Sequence, residues 1–252
     1  MVKELKNKQL LLATDLDGTF LGGTDQQREA LYTYVDDNRD WLGLIFVTGR
    51  DLAFIDTITA NDVPRPDAII GDVGTTVVSG SENTPVQAVE DWIDKRWPGA
   101  ALADSLLSNA AHLRKQTGYG GRRVSYYYDD QTAAEISAQA IIDHGYDVIM
   151  SDGVYFDVLP RGVQKGPTLQ KMIEVVGLTS DRVVVAGDTM NDRSMYETGL
   201  DGIVVANAEK PLLDAIGGYP NVFLSKEEGA GGVMEGLKRK VETLIEKDSI
   251  NA

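Results

Sequence analysis

Five short, continuously apolar runs recur along this chain of 252 residues, at 9–14, 42–47, 68–70, 183–186 and 203–205. A run that is apolar at every position and too short for a core helix reads as a strand buried on both faces. Such strands belong to parallel sheets covered by helices. Helical stretches separate them here, for example 25–37, 165–176 and 192–197. The alternation predicts an α/β fold, a doubly wound, mostly parallel, Rossmann-like sheet.

The middle of the chain breaks this pattern. Residues 122–128 alternate apolar and polar, and 148–150 and 154–159 flank Ser151-Asp152-Gly153, which reads as a hairpin turn. Helical stretches lie at 86–97 and 132–144. These features predict a smaller inserted α+β cap domain over 81–160, with 1–80 and 161–252 forming the core domain. Gly80 and Arg161-Gly162 are the expected linkers. The stretch 231–247 reads as an amphipathic closing helix, with 248–252 as a frayed end.

Composition narrows the partners. Asp and Glu number 39 against 24 Lys and Arg, a formal net charge of −15. That field repels polyanions, and the nearest thing to a basic patch is Arg122-Arg123, with Lys238-Arg239-Lys240 near the end. Neither nucleic acid nor a membrane surface is an expected partner. The chain has no cysteine, which excludes disulfides, thiolate metal sites and a cysteine nucleophile. No stretch approaches the roughly 18 apolar residues of a membrane helix, and residues 1–12 lack a signal-peptide pattern. A cytoplasmic monomer or small homo-oligomer is the default expectation.

The sharpest chemical signal is Asp15-Leu16-Asp17-Gly18-Thr19, directly after the first apolar run. Ligands of open α/β sheets bind at the carboxyl ends of strands, which is where these two carboxylates fall. A plain Asp-rich turn is the bland alternative. A calcium loop fails on spacing, because its glycine position holds Phe20 and its bidentate acid position holds Gln26. A carboxylate can attack phosphorus to give an acyl phosphate. A second carboxyl two residues on can protonate the leaving oxygen and later activate water.

Three further pieces suit the same reaction. Thr48, in Val47-Thr48-Gly49-Arg50, follows the second strand and offers a hydroxyl and an amide to a phosphate. Lys165 begins a helix and can neutralise developing charge. Gly187-Asp188-Thr189-Met190-Asn191-Asp192 follows another strand and supplies oxygen ligands of the kind magnesium prefers. Singly, the threonine-glycine pair and the lysine are ordinary turn and surface features.

In this order and on strand ends, these motifs resemble the haloacid dehalogenase-like superfamily over the whole chain. The insertion between the second and third motifs implies the type IIB cap. Residues 46–50, Gly71-Asp72-Val73-Gly74-Thr75, Val124-Ser125-Tyr126 and 155–160 look most like sucrose-phosphate phosphatases and related disaccharide-phosphate phosphatases. The resemblance implies Asp15 as nucleophile and Asp17 as general acid and base. It implies Mg2+ held by Asp15, Asp188 and the Asp17 carbonyl, with Asp192 supporting, and a phosphorylated sugar as substrate. A sugar phosphomutase on the same core and a non-catalytic phosphosugar-binding protein are the alternatives.

On the substrate side, Gly49, Arg50 and Asn191 are expected around the phosphate, and Gly74 at the rim for close backbone approach. Strand alternation over 122–128 sets Arg123, Ser125 and Tyr127 on one face and Val124, Tyr126 and Tyr128 on the other. The second, more apolar face is expected to pack on cap helices, leaving Arg123, Ser125 and Tyr127 toward the catalytic loops. Asp157 either meets sugar hydroxyls, as the resemblance implies, or merely pairs with a lysine. His112, His144, Trp41, Trp92 and Trp97 read as packing or surface residues.

Overall fold

Strand β1 (Leu10–Thr14) is buried at every position, and so is β2 (Leu42–Val47). Strands of that kind need a layer on each face. The computed structural model, which describes residues 2–117, 121–151 and 153–250, supplies both layers. Helix α1 (Asp25–Asp37) joins β1 to β2, and α2 (Leu52–Thr59) joins β2 to β3 (Ala68–Gly71). Each helix starts at a side-chain cap: the Thr24 hydroxyl accepts from the Gln27 amide, and Asp51 accepts from the Phe54 amide. Strand β4 (Thr76–Ser79) then turns back antiparallel on β3.

The chain continues through α3 (Gln87–Asp94), α4 (Ala100–Leu107), β5 (Leu113–Lys115), β6 (Val124–Tyr128), α5 (Gln131–Ile142), β7 (Tyr146–Ser151) and β8 (Tyr155–Pro160). It returns through α6 (Lys165–Val176), β9 (Val183–Gly187), α7 (Arg193–Tyr196) and β10 (Asp201–Val204). The last elements are α8 (Lys210–Ile216), β11 (Val222–Leu224) and α9 (Gly229–Ile250).

The core sheet has the order β11-β10-β9-β1-β2-β3-β4 and is parallel except at the β3–β4 edge. Alternate residues of each strand enter opposite cores: Leu11, Ala13, Ile45 and Val47 on one side, Leu10, Leu12, Leu44 and Phe46 on the other. From β1 the chain winds outward through β2 and β3, then crosses to β9 and winds the other way. The switch therefore falls between β1 and β9, and the crevice at their carboxyl ends is where a ligand fits.

The second sheet, β5-β6-β8-β7, is antiparallel throughout. Val124, Tyr126 and Tyr128 face α4 and α5, burying themselves with Ala103, Leu107, Ala134 and Ile141. That is the face expected from the alternation, and Arg123, Ser125 and Tyr127 occupy the other. The β7–β8 hairpin also forms, although Asp152 of its expected turn lies outside the described residues. Of the expected frayed end, Asn251 and Ala252 also lie outside them, whereas α9 continues to Ile250.

Two sequence boundaries shift. Helix α3, read as part of an insertion starting at 81, buries Val89 and Ile93 in the core cluster with Leu169 and Met172. The apolar cluster of the second sheet takes in residues from Trp97 onward. The excursion therefore starts after α3, because the apolar face of that helix belongs to the core. Gly80, expected as a linker, is packed against the core: its amide donates to the Asp67 carbonyl at 3.0 Å. Strands β4 and β11 and helix α4 were not read from the sequence.

Candidate active site

Asp15 is the first residue past β1, and Asp188 the first past β9, so the two neighbouring strand ends bring their carboxylates together. Asp192, four residues on, joins them; one oxygen of each of the three lies within 4.8 Å of the others, and all three side chains are buried. Lys165 begins α6 and is fully buried among them. Its ammonium donates to Asp15 Oδ1 at 2.5 Å, Asn191 Oδ1 at 2.6 Å and Asp192 Oδ1 at 2.6 Å. All three N–H bonds of the lysine are thereby used. Lys165, expected to neutralise developing charge on the transferred group, is bonded directly to the candidate nucleophile Asp15.

The loop between β1 and α1 is shaped by glycine. Gly18 has φ 74°, and a Cβ there would lie 2.1 Å from Asp188 Oδ2. Any other residue would displace Asp188. Thr19 donates its hydroxyl to Asp188 Oδ1 at 2.8 Å, and Asn207 donates to the Gly18 carbonyl at 3.0 Å. Thr19 was read as part of the motif without this role and Asn207 was not read at all, because both roles depend on partners far along the chain. The same holds for Tyr196, whose buried hydroxyl donates to the Gly187 and Ile203 carbonyls and braces the strand end that carries Asp188.

Burial drives the electrostatics. It pushes the Asp15 carboxyl well above the ordinary carboxylate range; Lys165 opposes this, and the charges of Asp192 and Asp188 add to it. Burial, again followed by Asp192, raises Asp188 to about 7, against the Thr19 hydrogen bond. For Lys165, burial opposes the charged form, but Asp15 and Asp192 outweigh it and raise its pKa. Three buried carboxylates share one ammonium, so the cluster carries excess negative charge. That charge and the hard oxygen donors fit a magnesium ion. Asp15 Oδ2 and Asp188 Oδ2 accept no hydrogen bond from the described residues and are the oxygens left to bind. Asp192 is committed: Oδ2 accepts from the amides of Asp188 and Thr189, both at 3.0 Å, so it braces the loop.

Above this cluster lies a cleft of ≈350 Å³, at the lower end of the roughly 300–1,000 Å³ of small-molecule sites. The core contributes Asp15, Asp17, Gly49, Arg50, Val73, Thr189 and Asn191 to its wall; the second sheet contributes Gln116, Arg123, Tyr127, Ser151, Tyr155 and Asp157. Asp17 is half exposed and takes a two-pronged ion pair from Arg50, at 2.7 and 2.9 Å. Its carboxylate stands outside the acidic cluster, so any part of Asp17 in holding a metal would fall to its main-chain carbonyl. Thr48 is buried and its hydroxyl oxygen accepts from the Arg50 amide at 3.1 Å, leaving its proton to donate.

Three expected contacts are redirected. Arg123 lines the cleft but is buried, donating to Asp157 Oδ1 at 3.0 Å and to the Gly49 carbonyl at 2.8 Å. It ties the second sheet to the loop holding Thr48 and Arg50. Ser125 donates to the same Asp157 oxygen at 2.5 Å and does not reach the wall. Gly74 is also away from the cleft: at φ 101°, a Cβ would sit 2.5 Å from the Gln164 carbonyl carbon. Its close approach is to the backbone entering α6, which sets Lys165 in place, and Thr168 donates to its carbonyl at 2.9 Å. Next to it, Val73 is held at φ 59°, unusual for a β-branched residue, with its amide donating to the Thr48 carbonyl at 3.0 Å. His112 bonds Ser137 and His144 bonds the Ala140 carbonyl, both apart from the cleft.

Comparison with known proteins gives the chain a family. Residues 8–239 match the sucrose-6F-phosphate phosphohydrolase family, and the chain belongs to it. It is 39% identical over 228 residues to a glucosylglycerol-phosphate synthase of Pseudomonas anguilliseptica, a match covering 90% of this chain and 30% of that protein. It is 31% identical to a mannosylfructose-phosphate phosphatase of Agrobacterium fabrum, covering 90% of this chain and 95% of the relative. Among solved structures, the sucrose-phosphatase of Synechocystis in complex with sucrose and phosphate superposes with a TM-score of 0.85 at 25% identity. That match covers 92% of this chain and 98% of the other. These matches place the chain among the phosphatases of the haloacid dehalogenase-like superfamily. Among the described residues no helix is long and apolar enough to cross a membrane.

Proposed function

We propose that this chain hydrolyses the phosphate monoester of a neutral two-unit glycoside, such as a disaccharide or a glycosylated polyol, through a phosphoryl group carried on Asp15. The observation that carries the reading is a buried carboxylate, aimed by Lys165, beside a cleft whose far wall is neutral and aromatic. The Asp15 carboxylate attacks phosphorus as the ester P–O bond breaks, and Asp17 gives its proton to the departing sugar oxygen. Water then attacks the acyl phosphate, Asp17 takes its proton, and phosphate leaves with Asp15 restored. The Thr48 hydroxyl and the Gly49 amide orient the phosphoryl oxygens. Arg50 meets them directly, because its exposed pair with Asp17 is worth at most about 1 kcal/mol and yields readily to an arriving dianion. A magnesium ion held by Asp15, Asp188 and the Asp17 carbonyl would neutralise the charge of the phosphoryl group and of the nucleophile.

Phosphate release tests this, measured with and without Mg2+ on sucrose, mannosylfructose and glucosylglycerol phosphates, hexose phosphates and an aryl phosphate. Magnesium-dependent preference for one two-unit substrate supports the proposal. Even release from all keeps only a general phosphatase, and none moves the weight to a mutase or a binding protein. The relative at 39% identity makes glucosylglycerol phosphate the first substrate to try.

The acidic cluster also sets a pH dependence. Without metal, burial and then the charge of Asp192 push the Asp188 carboxyl up to about 7 from its ordinary 3.8. The folded state therefore holds a proton that the unfolded chain has lost between those values. The stability it contributes is present below pH ~4 and lost as pH rises through ~7. In EDTA, Tm is expected to fall between pH 5 and 7.5. Added Mg2+ should raise Tm most at the alkaline end, where no proton competes for the oxygens. A Tm in EDTA that does not fall over this range, or a Mg2+ increment no larger at pH 7.5 than at pH 5, would contradict this.

A further inference from the structure

The face of the second sheet that looks into the cleft is ordered in rows across its strands. Arg123 pairs with Asp157 and holds the Gly49 carbonyl, next to the phosphate end. Ser125 lies opposite Asp157 in the next row. Beyond that, Arg114, Tyr127, Tyr155 and Ser151 lie opposite one another on β5, β6, β8 and β7. The tyrosine rings are 5.8 Å apart between centroids and tilted by 42°. The Arg114 guanidinium lies over the Tyr127 ring, 5.1 Å from its centroid. Both tyrosines line the cleft, and neither hydroxyl has a hydrogen-bond partner among the described residues. Two half-buried phenols side by side, with unused hydroxyls, differ from a packed core pair, which finds partners for its polar ends.

We infer that Tyr127 and Tyr155 form a stacking platform for the glycosyl unit farther from the phosphate, and that they set the preference for two-unit over one-unit substrates. The inference rests on the phosphatase reading above and adds the recognition element. Four residues along a strand, from Arg123 to Tyr127, span roughly 14 Å. A one-ring sugar anchored by its phosphate at Asp15 leaves the platform uncovered, whereas a second unit reaches it. The ring faces suit the C–H face of a pyranose, and the free hydroxyls suit its rim of hydroxyls. The cations that line the cleft, Arg50 and Arg123, are paired with Asp17 and Asp157.

The test compares kcat/KM for a two-unit phosphate and for hexose 6-phosphate in wild type, Tyr127→Ala, Tyr155→Ala and the two Tyr→Phe variants. The two-unit substrate is whichever the phosphate-release panel selects. Each alanine variant is expected to lower the ratio of the two values by about 5–50-fold, chiefly through KM of the two-unit substrate. Phenylalanine is expected to restore at least half of that effect on a logarithmic scale, because the ring face remains. Equal loss on both substrates would mean a merely structural role and overturn the platform, as would an unchanged ratio. A wild type that prefers neither substrate overturns the platform while leaving the phosphatase standing. One that hydrolyses neither overturns both.

Discussion

Asp15→Asn is expected to lower phosphate release by roughly 10⁴-fold or more while leaving the fold intact, since losing a nucleophile removes the reaction path and not a share of binding. The structure explains why the two effects separate. Asparagine has the same shape and can still accept from Lys165, which keeps Asp192 and Asn191 as its other acceptors. The substitution also removes one of three mutually repelling buried carboxylates, so the metal-free variant should melt no lower than wild type above pH 7. Steady-state release together with a thermal melt decides the matter. Residual turnover within a hundredfold of wild type would remove Asp15 as nucleophile. A large drop in Tm would mean that its charge holds the site together.

Lys165→Met should give the largest loss of stability at any site residue. The ammonium is fully buried and is the only cation bonded to Asp15 and Asp192 among the described residues. Removing one partner of a buried pair leaves uncompensated charge and costs about 3–5 kcal/mol. For a chain of this size that lowers Tm by roughly 6–20 °C. The sign with pH follows from the same charges. With the lysine gone, the carboxylates hold protons more strongly in the folded state, so the deficit should shrink as pH falls and grow above neutrality. A melt within 2 °C of wild type at pH 8 would show that the cluster tolerates its charge without the lysine. Activity should fall as well, because Asp15 loses the contact that aims it.

Much of the fold was legible because its signals are local. Helix α1 and helix α6 fall on the residues read from the sequence, since a capping threonine and a glycine in the left-handed region at residue 177 mark their ends. The buried strands declared themselves by uniform apolarity, which only a sheet covered on both faces requires. Strand β11 did not: it has three residues at the sheet edge, and Leu224 is half exposed. Helix α3 was found but assigned to the insertion, because an apolar face does not say which core it enters.

The local pattern of the chain located the candidate residues. Asp15, Asp17, Thr48, Lys165 and Asp188 follow strands or begin a helix, and the carboxyl ends of a doubly wound sheet converge whatever the loops between them contain. It also determined which face of β6 meets the apolar cluster of the insertion, since alternation has a period of two and admits one inward face. Only the tertiary structure decided what each charge is matched to. Lys165 meets an aspartate 150 residues away, and Arg123 a carbonyl 74 residues away. Pairing across such separations depends on strand register and helix packing, which leave no trace in local sequence. For the same reason Gly74, read as a rim for substrate, supports the start of α6, and Tyr155 stands beside Tyr127 only because β8 pairs with β6 in that register.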